Sequence, residues 1–306
     1  MIRPRNEHTI AAECEVAGRG YWSGMPVHVR FRPADAGRGI RFVRADLTGN
    51  PSCDANCQFS SGQSMRTNLE RGNASFQMVE HVMAALYALE IDNCIVETTA
   101  EELPGLDGSS GPYVDALLAV GLVMQASARK RYIVDRVMRI GEPTSWIEVS
   151  PSQRGCASFE YRLDYGDSSP IRPQICSHLL TPSNFFRELA FARTFVTNEQ
   201  ATRLRTSGIG LHVTHQDLVV FDANGVVLEN QLRFTNECAR HKALDLIGDL
   251  ALAGVDLVGR IVSFRGGHQL NSQMARLLAK FANGSTMSAG TGSQSAPPIS
   301  LRSRAA

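Results

Sequence analysis

Apolar and polar residues alternate with a period of two where Val27, Val29 and Phe31 stand against His28, Arg30 and Arg32, which predicts a strand with one buried face. After Glu80 and His81 the period lengthens. Val82, Met83, Leu86 and Leu89 recur at helical spacing up to Asp92-Asn93, ahead of a strand-like Cys94-Ile95-Val96-Glu97. A second helix is predicted from Pro112, a residue favoured in a first turn, to Gly121. The polar run Gln125-Ala126-Ser127-Ala128-Arg129-Lys130 reads as a linker, and beyond it strands begin again with the alternating Phe159 to Tyr165. Leu218-Val219-Val220-Phe221 predicts a strand and Asp222-Ala223-Asn224-Gly225 a turn. Next come a helix around His241, a strand at Ile261-Val262-Ser263-Phe264, and a helix from Asn271 to about Ala282.

Both halves therefore run through strands, helix, short strand and helix. His81 opens one long helix, His241 opens its counterpart, and an Ile-Asp or Val-Asp step follows each. This predicts two α+β halves of like order, residues 1–126 and 127–282, which on facing each other bring the two histidines together. The tail 283–306, rich in Ser, Gly and Ala, is expected to be disordered.

The length of 306 residues suits about two cores. A net charge of +1 lacks the basic surplus of a nucleic-acid binder. No window is long and apolar enough to span a bilayer, and the first residues resemble no signal peptide, so a cytoplasmic monomer without stable membrane insertion is expected. The 7 Cys form no repeated C-x-x-C pair, which argues for reduced thiols, and nothing near Cys53 and Cys57 completes a four-ligand metal set.

The candidate chemistry lies in Arg240-His241-Lys242-Ala243-Leu244-Asp245, where an imidazole and a carboxylate four residues apart share one face of a helix. With 8 His in the chain, one such pair is expected by chance, so the spacing alone also fits a surface helix. A third ligand, for which His81 is the best candidate, would complete a zinc site with a position open to water. Glu80, next to His81, fits the general base of an amide hydrolase, or simply an acid favoured at a helix start. Gly266-Gly267-His268 puts a further histidine on a turn before a helix, able to reach a reacting amine or to have no role. His212 and His215 form a rival H-x-x-H pair without a helical face, while His8, His28 and His178 lack a partner pattern.

Met78-Val79-Glu80-His81-Val82-Met83-Ala84-Ala85-Leu86, Ile91-Asp92-Asn93 and the run Glu102-Leu103-Pro104-Gly105-Leu106-Asp107-Gly108-Ser109-Ser110-Gly111-Pro112-Tyr113 resemble the first half of the zinc-dependent UDP-3-O-acyl-N-acetylglucosamine deacetylases of lipid A synthesis. The second half is similar too, in Arg193-Thr194-Phe195, Leu232-Arg233-Phe234, His241 to Leu250, and Gly267-His268-Gln269-Leu270-Asn271. The resemblance covers nearly everything except the tail. It implies that the halves are two α+β domains of like topology, with helices packed between two outer sheets, two per domain, and the active site at the junction. It implies zinc on His81, His241 and Asp245, Glu80 as base, and His268, oriented by Asp249, as the protonated partner. Thr194 would donate to the tetrahedral intermediate, Lys242 would meet the diphosphate side, and Phe195 would pack near the sugar.

Two segments depart from the family pattern. Gly20-Tyr21-Trp22-Ser23-Gly24 stands where Gly-Leu-His-Thr-Gly is common, so Trp22 replaces a histidine near the substrate. Between Thr197 and Leu228, where the acyl passage is expected, Gly210-Leu211-His212-Val213 replaces a Gly-Gly-Ser turn. The expected activity is zinc-dependent removal of acetate from a UDP-linked, 3-O-acylated N-acetylglucosamine. The alternatives are a zinc deacetylase of another N-acetylated sugar and a scaffold that keeps only the fold.

Overall fold

In the computed structural model of the chain, residues 5–284 are described; all but the first two residues of the tail expected to be disordered lie outside them. Two five-stranded sheets carry the fold, and their strand orders match. The first runs Cys14–Arg19, Pro26–Pro33, Cys94–Thr98, Ile40–Arg44, Ser52–Asp54. The second runs Met138–Glu142, Ser145–Ser150, Arg260–Phe264, Ser158–Leu163, Gln174–Leu179. In each sheet the third and fourth strands pair in parallel and every other pair is antiparallel. The internal repeat seen in the order of elements thus holds in sheet topology.

Among the described residues six α-helices complete the fold: α1 (Glu80–Ala88), α2 (Gly111–Val120), α3 (Pro182–Glu188), α4 (Asn198–Thr206), α5 (Glu237–Ala251) and α6 (His268–Gly284). α2 packs on Cys14–Arg19, α5 on Ser158–Leu163 and Gln174–Leu179, and α6 on strands of the second half. α1 and α5 meet in the middle, so the helices lie between the sheets. Both are buried nearly all round, as central helices must be.

The clearest mark of the duplication is a clamp of four charges. Asp92 ends the α1 region and Asp256 ends the α5 region. The Arg5 guanidinium donates to both, at 2.6 and 2.8 Å to Asp92 and 2.7 and 2.8 Å to Asp256. Arg129 lies 3.0 Å from Asp92 and 3.1 Å from Asp256. The Ile91-Asp92 and Val255-Asp256 steps visible in sequence are therefore matching corners of one contact between the halves.

Some expectations need correction. The segment read as a linker is largely strand: Leu122–Ala128 pairs antiparallel with Asn6–Ile10, and Asn93 donates to Gln125, because this polar edge finds its partners at the chain's opening strand. α5 begins one turn before His241, since Glu237 is held by Arg193. α6 begins at His268 rather than Asn271, so His268 is a buried helical residue and not part of a flexible turn. Periodicity also missed the three-stranded meander Ser60–Gly62, Thr67–Arg71 and Ala74–Gln77, whose strands are too short for a clear alternation.

Candidate active site

The close approach of α1 and α5 depends on Gly248: a Cβ there would lie 2.0 Å from the Glu80 carbonyl oxygen. With the backbones this near, residues at the start of α1 face the middle of α5. His81 Nε2 stands 3.5 Å from Asp245 Oδ1, and His241 Nε2 stands 3.4 Å from the same oxygen. All three donor atoms lie within 4.8 Å of one another. Zinc bonds of about 2.0–2.1 Å in a tetrahedron set ligand atoms roughly 3.3–3.4 Å apart, so the spacing suits such an ion.

The protonation states suit it as well. His241 Nδ1 lies 3.1 Å from the Ala192 carbonyl and donates to it, which leaves Nε2 with its lone pair facing the cluster. Burial, against the pull of Asp245, holds His241 down at about 3, in the neutral form that a metal takes. Burial alone would push the Asp245 carboxyl up. The adjacent Lys242 ammonium reverses this and holds it well below the usual carboxylate range. Asp245 Oδ1 is buried without a hydrogen-bond partner among the described residues, an orphan that a cation would satisfy.

Beside this cluster, Glu80 is buried and its Oε2 accepts from the Thr67 backbone N–H at 3.0 Å. Burial raises its carboxyl above the ordinary value, although His268 and His81 oppose the rise. His268 Nδ1 lies 2.9 Å from Asp249 Oδ2, which also accepts from Asn271 at 2.8 Å, while Asp249 Oδ1 accepts from the Thr67 hydroxyl at 2.6 Å. Burial disfavours the charged imidazole, but the Asp249 carboxylate outweighs it and pushes His268 up to about 9. Its Nε2 points toward the cluster, 3.8 Å from Asp245 Oδ2. Gly62 lets the meander reach α6 here, since a Cβ would lie 2.1 Å from the His268 carbonyl oxygen.

Glu80, His81, His241, Asp245 and His268 line one cavity of about 590 Å³ together with Thr194, Phe195 and Lys242. Thr194 is fixed by its N–H on the Gly108 carbonyl at 2.8 Å, and the Phe195 ring meets His241 edge-on, centroids 6.2 Å apart. The Lys242 ammonium lies 2.5 Å from Asp245 Oδ2. The cavity continues between α4 and the following loop along Leu204, Ile209, Val213 and Leu218. Leu211, also expected there, is 68% exposed and does not line the cavity.

Trp22 reaches the cavity on a turn whose N–H groups at Trp22 and Ser23 both donate to the Glu102 carboxylate at 2.8 Å, with the Arg66 guanidinium 4.7 Å over its ring. Among the described residues no second metal cluster forms. His215 pairs with Glu229 at 3.1 Å, His178 with Glu188 at 3.2 Å, and His212 packs on Gly24. Sequence reasoning missed Thr67, Asn271, Glu102 and Glu237. Of these, Glu237 had a signal in Arg193: a buried arginine needs a buried acid, and Glu237 takes it at 2.8 Å while accepting the Arg193 and Arg233 N–H groups.

A family model described as LpxC, UDP-3-O-acyl N-acetylglycosamine deacetylase, matches residues 7–280. The chain belongs to this family. Relatives in Brucella ovis, Brucella canis and Brucella suis, each named UDP-3-O-acyl-N-acetylglucosamine deacetylase, are 36% identical over 273 residues, which is 89% of this chain and 94% of theirs. Family membership explains why the sequence motifs of the two halves meet. Arg233, from the second half, donates at 2.7 Å to Asp107 of the Leu106-Asp107-Gly108 motif in the first, and the Ser110 hydroxyl donates to the His81 carbonyl at 2.8 Å.

Proposed function

We propose that the chain is a zinc-dependent hydrolase of the acetamide of UDP-3-O-(3-hydroxyacyl)-N-acetylglucosamine, releasing acetate and the free amine in the committed step of lipid A biosynthesis. The observation that carries this is the convergence of His81, His241 and Asp245 in a cavity that buried Glu80 and a His268 held charged by Asp249 also line. When bound by those three residues, the ion supplies Lewis acidity toward water and the acetamide carbonyl.

Glu80, fixed by the Thr67 N–H, accepts the proton of the attacking water as the new C–O bond forms. The imidazolium of His268 and the hydroxyl of Thr194 donate to the developing oxyanion. His268 then passes its Nε2 proton to the amine nitrogen as the C–N bond breaks, and Asp249 keeps the ring oriented for both roles. Lys242 is assigned to the diphosphate side of the substrate, as its place on the cavity wall allows. Phe195 is assigned to the sugar.

An assay of acetate release on UDP-N-acetylglucosamine with and without the 3-O-acyl chain, run alongside zinc content, tests the proposal. Turnover that requires both zinc and the acyl chain is expected; zinc-dependent turnover indifferent to the chain would favour another N-acetylated sugar. The same reading includes domains at 1–126 and 127–282 and a cytoplasmic, monomeric enzyme. Among the described residues no helix is long and apolar enough to cross a membrane.

A further inference from the structure

Three segments border the cavity, and each carries an exposed apolar side chain near a basic one. The Gly20–Gly24 turn is followed by Met25, 59% exposed, and preceded by Arg19. The bend before the meander contributes Met65, 45% exposed, next to Arg66. α4 and its following loop contribute Arg203, Arg205 and Leu211.

They form one rim. Gly24 lies against His212, where a Cβ would come within 2.9 Å of Nδ1, so Met25 and Leu211 flank a direct contact. Gly210 approaches the Tyr21 carbonyl, and Arg66 covers Trp22. Trp22, Met65, Arg203, Leu204 and Arg205 all line the same cavity. Glu199 pairs with Arg203 at 3.2 Å and offsets that charge, whereas Arg19, Arg66 and Arg205 pair with no carboxylate among the described residues. No residue of α4 is buried, so the helix rests on the cavity edge with one side free.

Isolated exposed apolar residues are ordinary, but apolar tips interleaved with arginines beside a cavity match the chemistry of an anionic lipid surface. We propose that this rim docks reversibly onto an anionic bilayer, with Met25, Met65 and Leu211 entering the acyl boundary and the arginines meeting lipid phosphates. This rests on the reading above that the cavity holds an acyl chain, which docking would let pass between leaflet and enzyme without crossing water.

The test is co-sedimentation of the full chain with vesicles of phosphatidylcholine alone or with added phosphatidylglycerol. Binding to the anionic vesicles, weakened by salt, is expected. Met25→Ser combined with Leu211→Ser should lower the bound fraction about tenfold or more by removing two apolar tips that would enter the bilayer, while acetate release from substrate free in solution stays unchanged. Arg203→Gln with Arg205→Gln should remove the preference for phosphatidylglycerol. The proposal is overturned if the wild type ignores both vesicles, if the Met25/Leu211 variant binds like wild type, or if those substitutions instead abolish a concentration-dependent dimer. Vesicle binding needs no catalysis, so a protein that binds vesicles yet releases no acetate would refute the proposed activity and leave the docking surface standing.

Discussion

Gly248 of α5 rests directly on the carbonyl oxygen of Glu80 in α1, with no room for a Cβ between them. Glu80, the residue proposed to activate water, and the helix that carries His241 and Asp245 are thus positioned by one backbone contact. Gly248→Ala must push the helices apart or strain them, at a cost of about 1–3 kcal/mol typical of an overpacked core. Because the displacement falls at the site, activity and zinc affinity should both drop. A variant with a lower melting temperature and unchanged zinc affinity would show that the helices separate elsewhere.

That contact also marks what could be read in the sequence. His241 and Asp245 were legible because one helix carries both and its period is known in advance. His81 was legible because the chain repeats its order of elements, and the matching sheets explain why that inference worked. Thr67 left no local signal: its hydroxyl meets Asp249, 182 residues away, from a five-residue strand. The start of α5 and the nature of the 125–130 segment were misread for a related reason, since both are settled by partners distant in the chain, Arg193 in one case and Asn6–Ile10 in the other.

Glu80→Ala and His241→Ala should fail differently. Removing the base should leave zinc bound and lower kcat by ~10²- to 10⁴-fold. Removing His241 should lose metal and activity together, because two of three ligands hold the ion poorly. Metal analysis beside single-turnover rates separates them, and full zinc content with full activity in His241→Ala would dismiss the ligand assignment.

The rate should follow a bell in pH. Glu80, raised by burial, must be ionised, so activity falls as pH drops through its elevated value. His268 must be charged, so activity falls as pH rises toward about 9. A bound cation lowers that limit, since it disfavours a second positive charge nearby. Asp249→Asn removes the chief group that keeps His268 protonated, and the alkaline limb of kcat/KM should move to lower pH. An alkaline limb that stays in place in that variant would assign it to a different group.

Thr67 joins the proposed base to the partner of the proposed acid His268, its N–H on Glu80 and its hydroxyl on Asp249. Thr67→Val keeps the first bond and the side-chain shape but deletes the second. A hydrogen bond to a charged group contributes about 1.5–3 kcal/mol, so kcat should fall roughly tenfold to a hundredfold with zinc retained. Thr67→Ser should restore most of the rate. If Thr67→Ser remained as slow as Thr67→Val, packing of the methyl group rather than the hydroxyl would be responsible.

Acyl length offers the broadest test, because the apolar arm of the cavity is the part that distinguishes the proposed substrate from any other N-acetylated sugar. Leu204, Ile209, Val213 and Leu218 line that arm and can take methylenes out of water at about 0.8 kcal/mol each. Shortening the chain by several carbons should therefore lower kcat/KM by orders of magnitude. The loss should appear in KM if the chain is held equally in ground and transition states, and also in kcat if its binding aligns the amide. Leu204→Ser should reduce the discrimination between long and short chains while leaving the slow turnover of the unacylated sugar nearly unchanged. A kcat/KM indifferent to chain length in the wild type would move the assignment to a different N-acetylated sugar while keeping the metal, Glu80 and His268 in their roles.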